Sequence, residues 1–320
     1  MKNNRINDIA RQAGVSASTV SRVFNNRPYV KEDIRKRVLE IAVDMDYNPK
    51  ATARRDTISI VVGGTDAVLT NDYERHLANR LFAVAEAQNM SLEFVTIQNI
   101  DRIYQNFSKA VIAMIYSETA AEVLRSIRNI PVLTINYITK GCSYVCSDHF
   151  EGIHQATRYL IRHGHEKIAI LFAPYENNMS WGESARLEGY RKALEEHDIP
   201  FKRELVVYGT RVVLDHPAKM LVSQQPTAMI VCGESLVMPV KYTLDLFHKK
   251  VPEDISLVTF YSPNITPFLI PEQTCIHQNF DELAKVTLEK VEALIHEEID
   301  RAEVLLPNTF VEGNSVRTLK

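Results

Sequence analysis

The chain has 320 residues, a hydrophobic content of 45% and a formal net charge of only −3, so it is long enough for more than one domain and for a large core. Residues 1–56 hold 12 Lys and Arg against 7 Asp and Glu, whereas the remaining residues hold 25 against 33. This basic head on an acidic body indicates a phosphate-binding module joined to a part that does not bind nucleic acid.

The segment RINDIARQAGVSASTVSRVFN, residues 5–25, predicts two short helices joined by a tight turn. In the first helix, apolar residues recur at i, i+3, i+4 and i+7, which is the spacing of one buried helical face. They are Ile6, Ile9, Ala10 and Ala13. Gly14 suits the left-handed conformation that ends a helix, and Val15 is then placed to fold back on the apolar side.

The second helix is predicted to have an apolar face and a small, polar, basic face. Ser16 is its expected N-cap, with its hydroxyl bonded to the amide of Ser18 or Thr19. The inward face is Val20, Val23 and Phe24, and the outward face is Ala17, Ser18, Ser21, Arg22 and Asn25. Two such helices around a Gly-containing turn are typical of a helix-turn-helix, whose second helix enters the DNA major groove. An ordinary helical hairpin with a solvated outer face is the alternative.

The stretch AGVSASTVSRVFN resembles the head of the LacI/GalR family of bacterial transcription regulators. The resemblance implies a double-stranded DNA operator as partner, with bases read by Ala17, Ser18 and Arg22. It also implies phosphate contacts, which fall on Ser16, Thr19, Ser21 and Asn25. Arg22 has the fork that bonds guanine O6 and N7 together.

A third amphipathic helix follows and completes a headpiece predicted to span residues 1–46. Its apolar positions are Ile34, Val38, Ile41, Ala42 and Met45. The basic run Arg35, Lys36 and Arg37 is expected to solvate this helix, apart from one member that faces phosphate.

Residues 47–56 are predicted to form a hinge helix and linker, which begins at Asn48 and Pro49. In the family this helix binds the minor groove, where a Leu wedges open a base step. Asp56 stands at that position here, and a carboxylate is repelled by phosphate. Arg54 and Arg55 are still expected to contact the minor groove, but we expect less kinking of DNA than is usual for the family.

Residues 57–320 alternate apolar strands with amphipathic helices, which predicts an α/β fold with parallel sheets covered on both faces. Predicted strands are 58–62, 92–97, 109–116, 130–136, 167–173, 205–209, 227–232 and 255–260, and predicted helices include 149–163, 182–197, 215–224 and 235–249. Ligands in such folds bind beyond the carboxyl ends of the strands.

Several body segments also resemble the family, among them PVLTIN, ARLEGYRKALEEHDI and VPEDISLVTF. The resemblance implies an effector-binding and dimerisation domain of two doubly wound subdomains of periplasmic-binding-protein type. Their approximate limits are 57–146 plus 277–300, and 147–276 plus 301–320. It further implies an effector cleft, a homodimer formed in part through helix 73–89, and a pseudo-palindromic operator.

Four side chains are candidates for effector binding. Arg186, in the segment ARLEG, matches a family arginine that holds hydroxyls or carboxylates, although a surface Arg is the alternative. Asp72 and Tyr73 precede the first body helix and suit a saccharide, but Asp72 equally suits a helix cap. Trp181, in the loop before the Arg186 helix, is expected either to stack on a ligand ring or to pack half-buried.

Two sugar-binding positions of the family differ in this chain. An Asn-Asp pair is replaced by Gly233 and Glu234, and a later Asp position falls on Tyr261. We therefore place Glu234 and Tyr261 in the effector site, where their hydrogen bonds to the effector must differ from those of the family. The effector class therefore stays open: it includes a simple sugar, an oligosaccharide, a glycoside, a nucleoside or another small polar ligand. Asp148 is expected to have a structural role.

The remaining composition suggests no further chemistry. Four scattered cysteines without clustered His predict buried free thiols rather than a disulfide framework or a metal site, and no cofactor is expected. The chain shows no apolar leader and no run of 18 apolar residues, so a cytoplasmic protein without membrane association is expected.

These features predict a sequence-specific transcription regulator that is controlled by an effector and acts as a repressor. An enzyme acting on a sugar or nucleotide is the alternative, supported by Gly63 and Gly64 after the first strand. That signal is weak because no phosphate-binding motif follows. A transport binding protein is disfavoured by the DNA-binding head. The sequence leaves open the effector, the direction of control, the operator, and dimer against tetramer.

Overall fold

The computed structural model describes residues 2–24, 29–45, 47, 57–63, 72–116, 118–173, 181–209 and 215–319. By its contacts the chain forms two compact units. Unit 1 comprises residues 1–69, 77–145 and 284–304, and unit 2 comprises 70–76, 146–283 and 305–320. Unit 1 thus includes the headpiece. The domain limits expected from the sequence stay a prediction.

The headpiece consists of three helices: α1 (Lys2–Ala13), α2 (Ala17–Phe24) and α3 (Glu32–Asp44). The predicted turn between the first two is confirmed. Gly14 has a φ of +66°, a value that favours glycine, and the Val15 N–H donates to the Ala10 carbonyl over 2.9 Å. Apolar side chains of all three helices form the buried interior of the headpiece, among them Ile9, Ala13, Val20, Val23, Val38 and Ala42.

The expected solvation of α3 by its basic run is wrong for Arg35. This side chain is buried, and its Nε lies 3.7 Å from the Glu32 carboxylate. Lys36 is half-exposed and pairs with Asp101 of the body, whereas Arg37 is exposed. The reason is that Arg35 lies one helical turn before Val38 and Leu39, on the buried face of α3, whereas Lys36 and Arg37 lie further round the helix toward solvent.

The sheet of unit 1 has the strand order β11-β5-β4-β3-β1-β2. Its strands are β1 (Thr57–Val62), β2 (Ser91–Thr96), β3 (Ala110–Met114), β4 (Val132–Ile135), β5 (Ser143–Ser147) and β11 (Glu303–Leu306). Neighbours from β2 to β5 pair in parallel, as predicted. The strand β3 is fully buried because helices cover both faces of a parallel sheet.

The sheet of unit 2 has the order β12-β10-β9-β8-β6-β7. Its strands are β6 (Ile168–Phe172), β7 (Val206–Tyr208), β8 (Ala228–Cys232), β9 (Ser256–Phe260), β10 (Thr274–His277) and β12 (Thr309–Val311). All pairs are parallel except β10 with β12, which is antiparallel. The carboxyl ends of β6, β8, β9 and β10 therefore meet at one edge.

Helices connect these strands. They are α4 (Asp72–Ala87), α5 (Arg102–Gln105), α6 (Glu118–Ser126), α7 (His149–Arg162), α8 (Trp181–Glu195), α9 (Asp215–Gln224), α10 (Glu234–Leu246) and α11 (Phe280–Ile295). Trp181 is thus the first residue of α8, which corrects its expected place in a loop. Within the described ranges, no helix is both long enough and apolar enough to span a membrane. All four cysteines are buried and free, as predicted.

Candidate functional site

The start of α2 is fixed by a hydroxyl cap, which confirms the expected role of Ser16. The Thr19 N–H donates to Ser16 Oγ over 3.2 Å. The same oxygen lies 2.8 Å from Ser18 Oγ and 2.9 Å from Thr19 Oγ1. Such a cap satisfies amides that the first turn of a helix leaves unpaired and sets the direction in which α2 leaves the turn.

The outer face of α2 is exposed on the headpiece. Ser18, Ser21 and Arg22 are exposed, Ala17 is half-buried, and Thr19 is half-buried beside the cap. Val20, Val23 and Phe24 hold the opposite face in the core. The face that the sequence assigns to DNA is therefore presented to solvent, with small side chains around one guanidinium. The predicted contacts Asn25 and Arg54, and the linker residues 48–56, lie outside the described residues.

The candidate effector residues of unit 2 follow the carboxyl ends of its parallel strands. Trp181 and Arg186 belong to α8, which follows β6, while Glu234 begins α10 directly after β8. Tyr261 comes directly after β9. This is the edge at which ligands bind in open α/β sheets.

Arg186 is held between an imidazole and an aromatic ring. Its Nη2 lies 3.2 Å from His149 Nδ1, and its guanidinium carbon is 4.6 Å from the centre of the Phe260 ring. The Trp181 ring lies 5.5 Å from that of the buried His149. Arg186 Nε is buried and has no hydrogen-bond partner among the described residues. The arrangement presents a positioned donor that a ligand oxygen can satisfy.

Glu234 presents a partly buried carboxyl group at the same edge. Burial has the largest effect and raises its pKa, the nearby Ser262 hydroxyl lowers it, and the charge of Asp72 raises it; together these effects bring it to about 7. Asp72 is the first residue of α4, so Asp72 and Tyr73 lie within the helix that they were expected to precede. The Asp72 carboxylate accepts a hydrogen bond from Arg75. Glu234 therefore titrates near neutrality, where it can donate or accept a hydrogen bond.

Aromatic pairs position the remaining candidates. The Tyr261 ring lies 4.6 Å from His277, and its N–H donates to the Ile276 carbonyl. Burial lowers the pKa of His277. Tyr73 packs on Phe280 at 5.2 Å between ring centres, which fixes its ring on unit 2.

Sequence reasoning missed His149 and Phe260, because they approach Arg186 from other elements of the fold. Asp148 caps α7 by accepting from the Glu151 N–H over 2.9 Å, which confirms its structural role. In the described part of the chain, no three side chains of the metal-binding types come together.

Two family models match the chain. Residues 5–50 match the model described as bacterial regulatory proteins, lacI family. Residues 157–316 match the model of a periplasmic binding protein-like domain. The first covers the headpiece with its exposed α2 face, and the second covers most of unit 2.

The chain is similar to proteins of known class along nearly its full length. It is 28% identical to the probable HTH-type transcriptional repressor ExuR of Bacillus subtilis (strain 168), over 98% of each chain. Among solved structures, the complex of the transcriptional regulator CelR with cellobiose matches with a TM-score of 0.73 and 19% identity, over 97% of this chain and 99% of that one. The lac repressor dimer bound to operator and the anti-inducer ONPF also matches with a TM-score of 0.73, at 20% identity over 97% and 98%.

The matched sequence relative is a repressor, so the enzyme alternative is not favoured. The family models matched by the headpiece and by the body, and the similarity along the whole chain, all indicate the same family. The chain belongs to the lacI family of bacterial regulatory proteins, as a DNA-binding regulator of transcription with a periplasmic binding protein-like body.

Proposed function

We propose that this chain is a homodimeric repressor that binds a pseudo-palindromic operator in the cytoplasm and is controlled by a small-molecule effector. The observation that carries the proposal is the exposed, small and basic outer face of α2 in a headpiece of the lacI family. Small side chains allow close approach to the duplex, and Arg22 supplies the bidentate donor for guanine. The similarity to a lac repressor dimer on its operator supports two-fold binding.

We assign effector binding to the strand-end edge of unit 2. Arg186 offers an unpaired donor, Trp181 offers an aromatic face nearby, and Glu234 adds a hydrogen-bonding carboxyl group. Polar donors beside apolar ring faces suit a polyhydroxylated ring, so a sugar or glycoside is the proposed class. The match to a regulator in complex with cellobiose is consistent with this class.

Control requires that the effector bind one arrangement of the body more tightly than another. Such a preference shifts the population of arrangements and with it the spacing of the two headpieces. A band-shift titration on an operator duplex, with and without effector, tests the proposal. The operator affinity should change with effector concentration, and an affinity that no effector alters would contradict the control that we propose.

The effector should be detectable as a rise in thermal stability of the purified chain. A ligand at a hundred times its dissociation constant adds about 2.7 kcal/mol. A screen of sugars, glycosides and nucleobases is expected to give a hit whose stabilisation is lost in Arg186→Ala. Arg191→Ala is the matched control, because Arg191 also covers an aromatic ring, that of Phe201, from the same helix. Equal loss in both variants would contradict the role of Arg186.

Each unit also exposes an apolar patch that suits a second copy of the chain. On unit 1, Phe82 of α4 and Phe94 of β2 are exposed, with ring centres 5.5 Å apart.

On unit 2, exposed apolar side chains recur at i, i+4 and i+8 along α10, next to an exposed loop. They are Met238, Tyr242 and Leu246, with Phe268 and Ile270 from the loop. Lys241 Nζ holds this loop on α10 by donating to the Ile270 carbonyl over 3.2 Å. Patches of this kind mark protein interfaces.

Replacing Met238 and Tyr242 together by Glu is expected to separate the dimer. Two carboxylates cannot be buried unpaired against an apolar partner. Sedimentation velocity at micromolar concentration should give about twice the 36.5 kDa chain mass for the natural protein and the chain mass for the variant. Val222→Glu, at an exposed apolar position of α9, is the control and should remain dimeric. A variant that sediments as the dimer would exclude this patch.

A further inference from the structure

The headpiece and the body of unit 1 are joined by a contact that involves the segment between β2 and β3. We call residues 97–107 the docking segment; it contains a short 3-10 helix (Ile97–Asn99) and α5. Lys36 Nζ of α3 lies 3.3 Å from Asp101 Oδ1 of this segment. Both side chains remain about half exposed, so this ion pair orients the contact more than it stabilises it.

An aromatic contact lies beside the ion pair. Phe24, the last residue of α2, is buried, and its ring centre is 5.6 Å from Tyr47 and 5.9 Å from Phe107 of the docking segment. Ile97, Ile100 and Phe107 pack on the same apolar cluster as the headpiece core. The headpiece interior and this part of the body thus form one continuous apolar cluster.

The docking segment is itself anchored to the body. Tyr104 is buried, its hydroxyl donates to the Arg128 carbonyl over 3.3 Å, and it accepts from the Arg128 N–H over 3.1 Å. Phe107 has a φ of +53°, an uncommon conformation for a large side chain, which persists only where surrounding contacts hold it. Its contact with Phe24 is one of them.

We propose that the docking segment binds the headpiece of its own chain and thereby sets the direction in which α2 faces. The contact uses the end of α2 and one side of α3, while Ser18 and Arg22 remain exposed. The headpiece is therefore held by its body in an orientation that leaves the recognition face free. A movement of unit 1 is then passed to the headpiece through Lys36 and Phe24 directly, besides the linker. This docking does not depend on the operator or the effector.

The test is the tumbling of the headpiece in the full-length chain at low salt, without DNA. Transverse ¹⁵N relaxation should give headpiece amides the same rotational correlation time as amides of the unit 1 sheet. Lys36→Glu should lower the ratio of docked to undocked headpiece by up to about fivefold, the range for one exposed ion pair. Phe107→Asn removes the ring but tolerates the positive φ, and should lower that ratio by up to about tenfold.

Charge exchange distinguishes docking from a general effect of the substitutions. Lys36→Glu combined with Asp101→Lys should recover the tumbling of the natural chain, and Arg37→Glu, the same charge change on the exposed side of α3, should not alter it. A natural headpiece that tumbles as an independent small module would overturn the proposal. So would an exchanged pair that behaves no better than Lys36→Glu alone. Neither result would affect operator binding by α2 as such.

Discussion

Replacing Arg22 by Ala is expected to cost about 1–3 kcal/mol of discrimination at one base-pair position in each half-site of the operator. Arg22 is the one long cation on the outer face of α2, and it is exposed. Its guanidinium can donate two hydrogen bonds in one plane to the guanine edge. The loss should appear in band shifts that compare the best duplex with duplexes substituted at each position.

Arg22→Lys separates charge from geometry. Lysine keeps the attraction to phosphate, so the salt dependence should remain, but it lacks the planar fork and should lose most of the discrimination. Arg11→Ala is the matched control, because Arg11 is an exposed cation of α1 that pairs with Asp8. It should leave discrimination intact. An Arg22→Ala chain that weakens equally on every duplex would assign Arg22 to phosphate rather than to a base.

The second large effect is expected at Glu234. Burial raises the pKa of this carboxyl to about 7 in the folded chain, above the ordinary value of 4.5. The folded state therefore binds the proton more tightly than the unfolded state. The stability that protonated Glu234 contributes is fully present below about pH 4.5 and is lost as the pH rises through about 7.

Glu234→Gln should remove this dependence. Measured against the natural chain, the variant should gain stability as the pH rises from 4.5 to 7 and keep the gain above pH 7. At 1.36 kcal/mol for each unit of pKa, the gain is at most about 3 kcal/mol. Urea unfolding followed by the fluorescence of Trp181, the single Trp and a residue of unit 2, measures it.

The control for this experiment is Glu253→Gln, a change at an exposed carboxyl of the same unit. Its stability profile should run parallel to that of the natural chain between pH 4.5 and 8. If the profile of Glu234→Gln also runs parallel, Glu234 does not titrate in the folded chain as burial requires.

Local features of the sequence were sufficient to predict the headpiece. The turn at Gly14, the cap at Ser16 and the apolar face of α2 each depend on residues within a few positions of one another. The short strands β5 and β10 were missed, because neither is a continuous apolar run, but the other buried strands of the body were predicted, since such runs between amphipathic helices leave few alternatives. By contrast β12, which pairs antiparallel with β10, was missed because the partners Cys275 and Val311 are distant in sequence.

The surroundings of each candidate residue depend on tertiary packing and could not be predicted. Arg35 lies in a basic run, yet it is buried on the same face of α3 as Val38, Leu39 and Ala42. The sequence identified Arg186, but its partners His149 and Phe260 come from α7 and β9. Likewise, no periodicity relates Phe24 to Phe107, and only the fold brings these rings together.

Selection from a random duplex library by the purified natural chain, at one stated salt concentration, tests the DNA-binding role of the α2 face most directly. We expect enrichment of a pseudo-palindromic site whose half-sites are about one helical turn apart. Affinity for that site should exceed affinity for a scrambled duplex by at least about a thousandfold. Selected duplexes without a common sequence, or equal affinity for the scrambled duplex, would contradict a sequence-specific regulator.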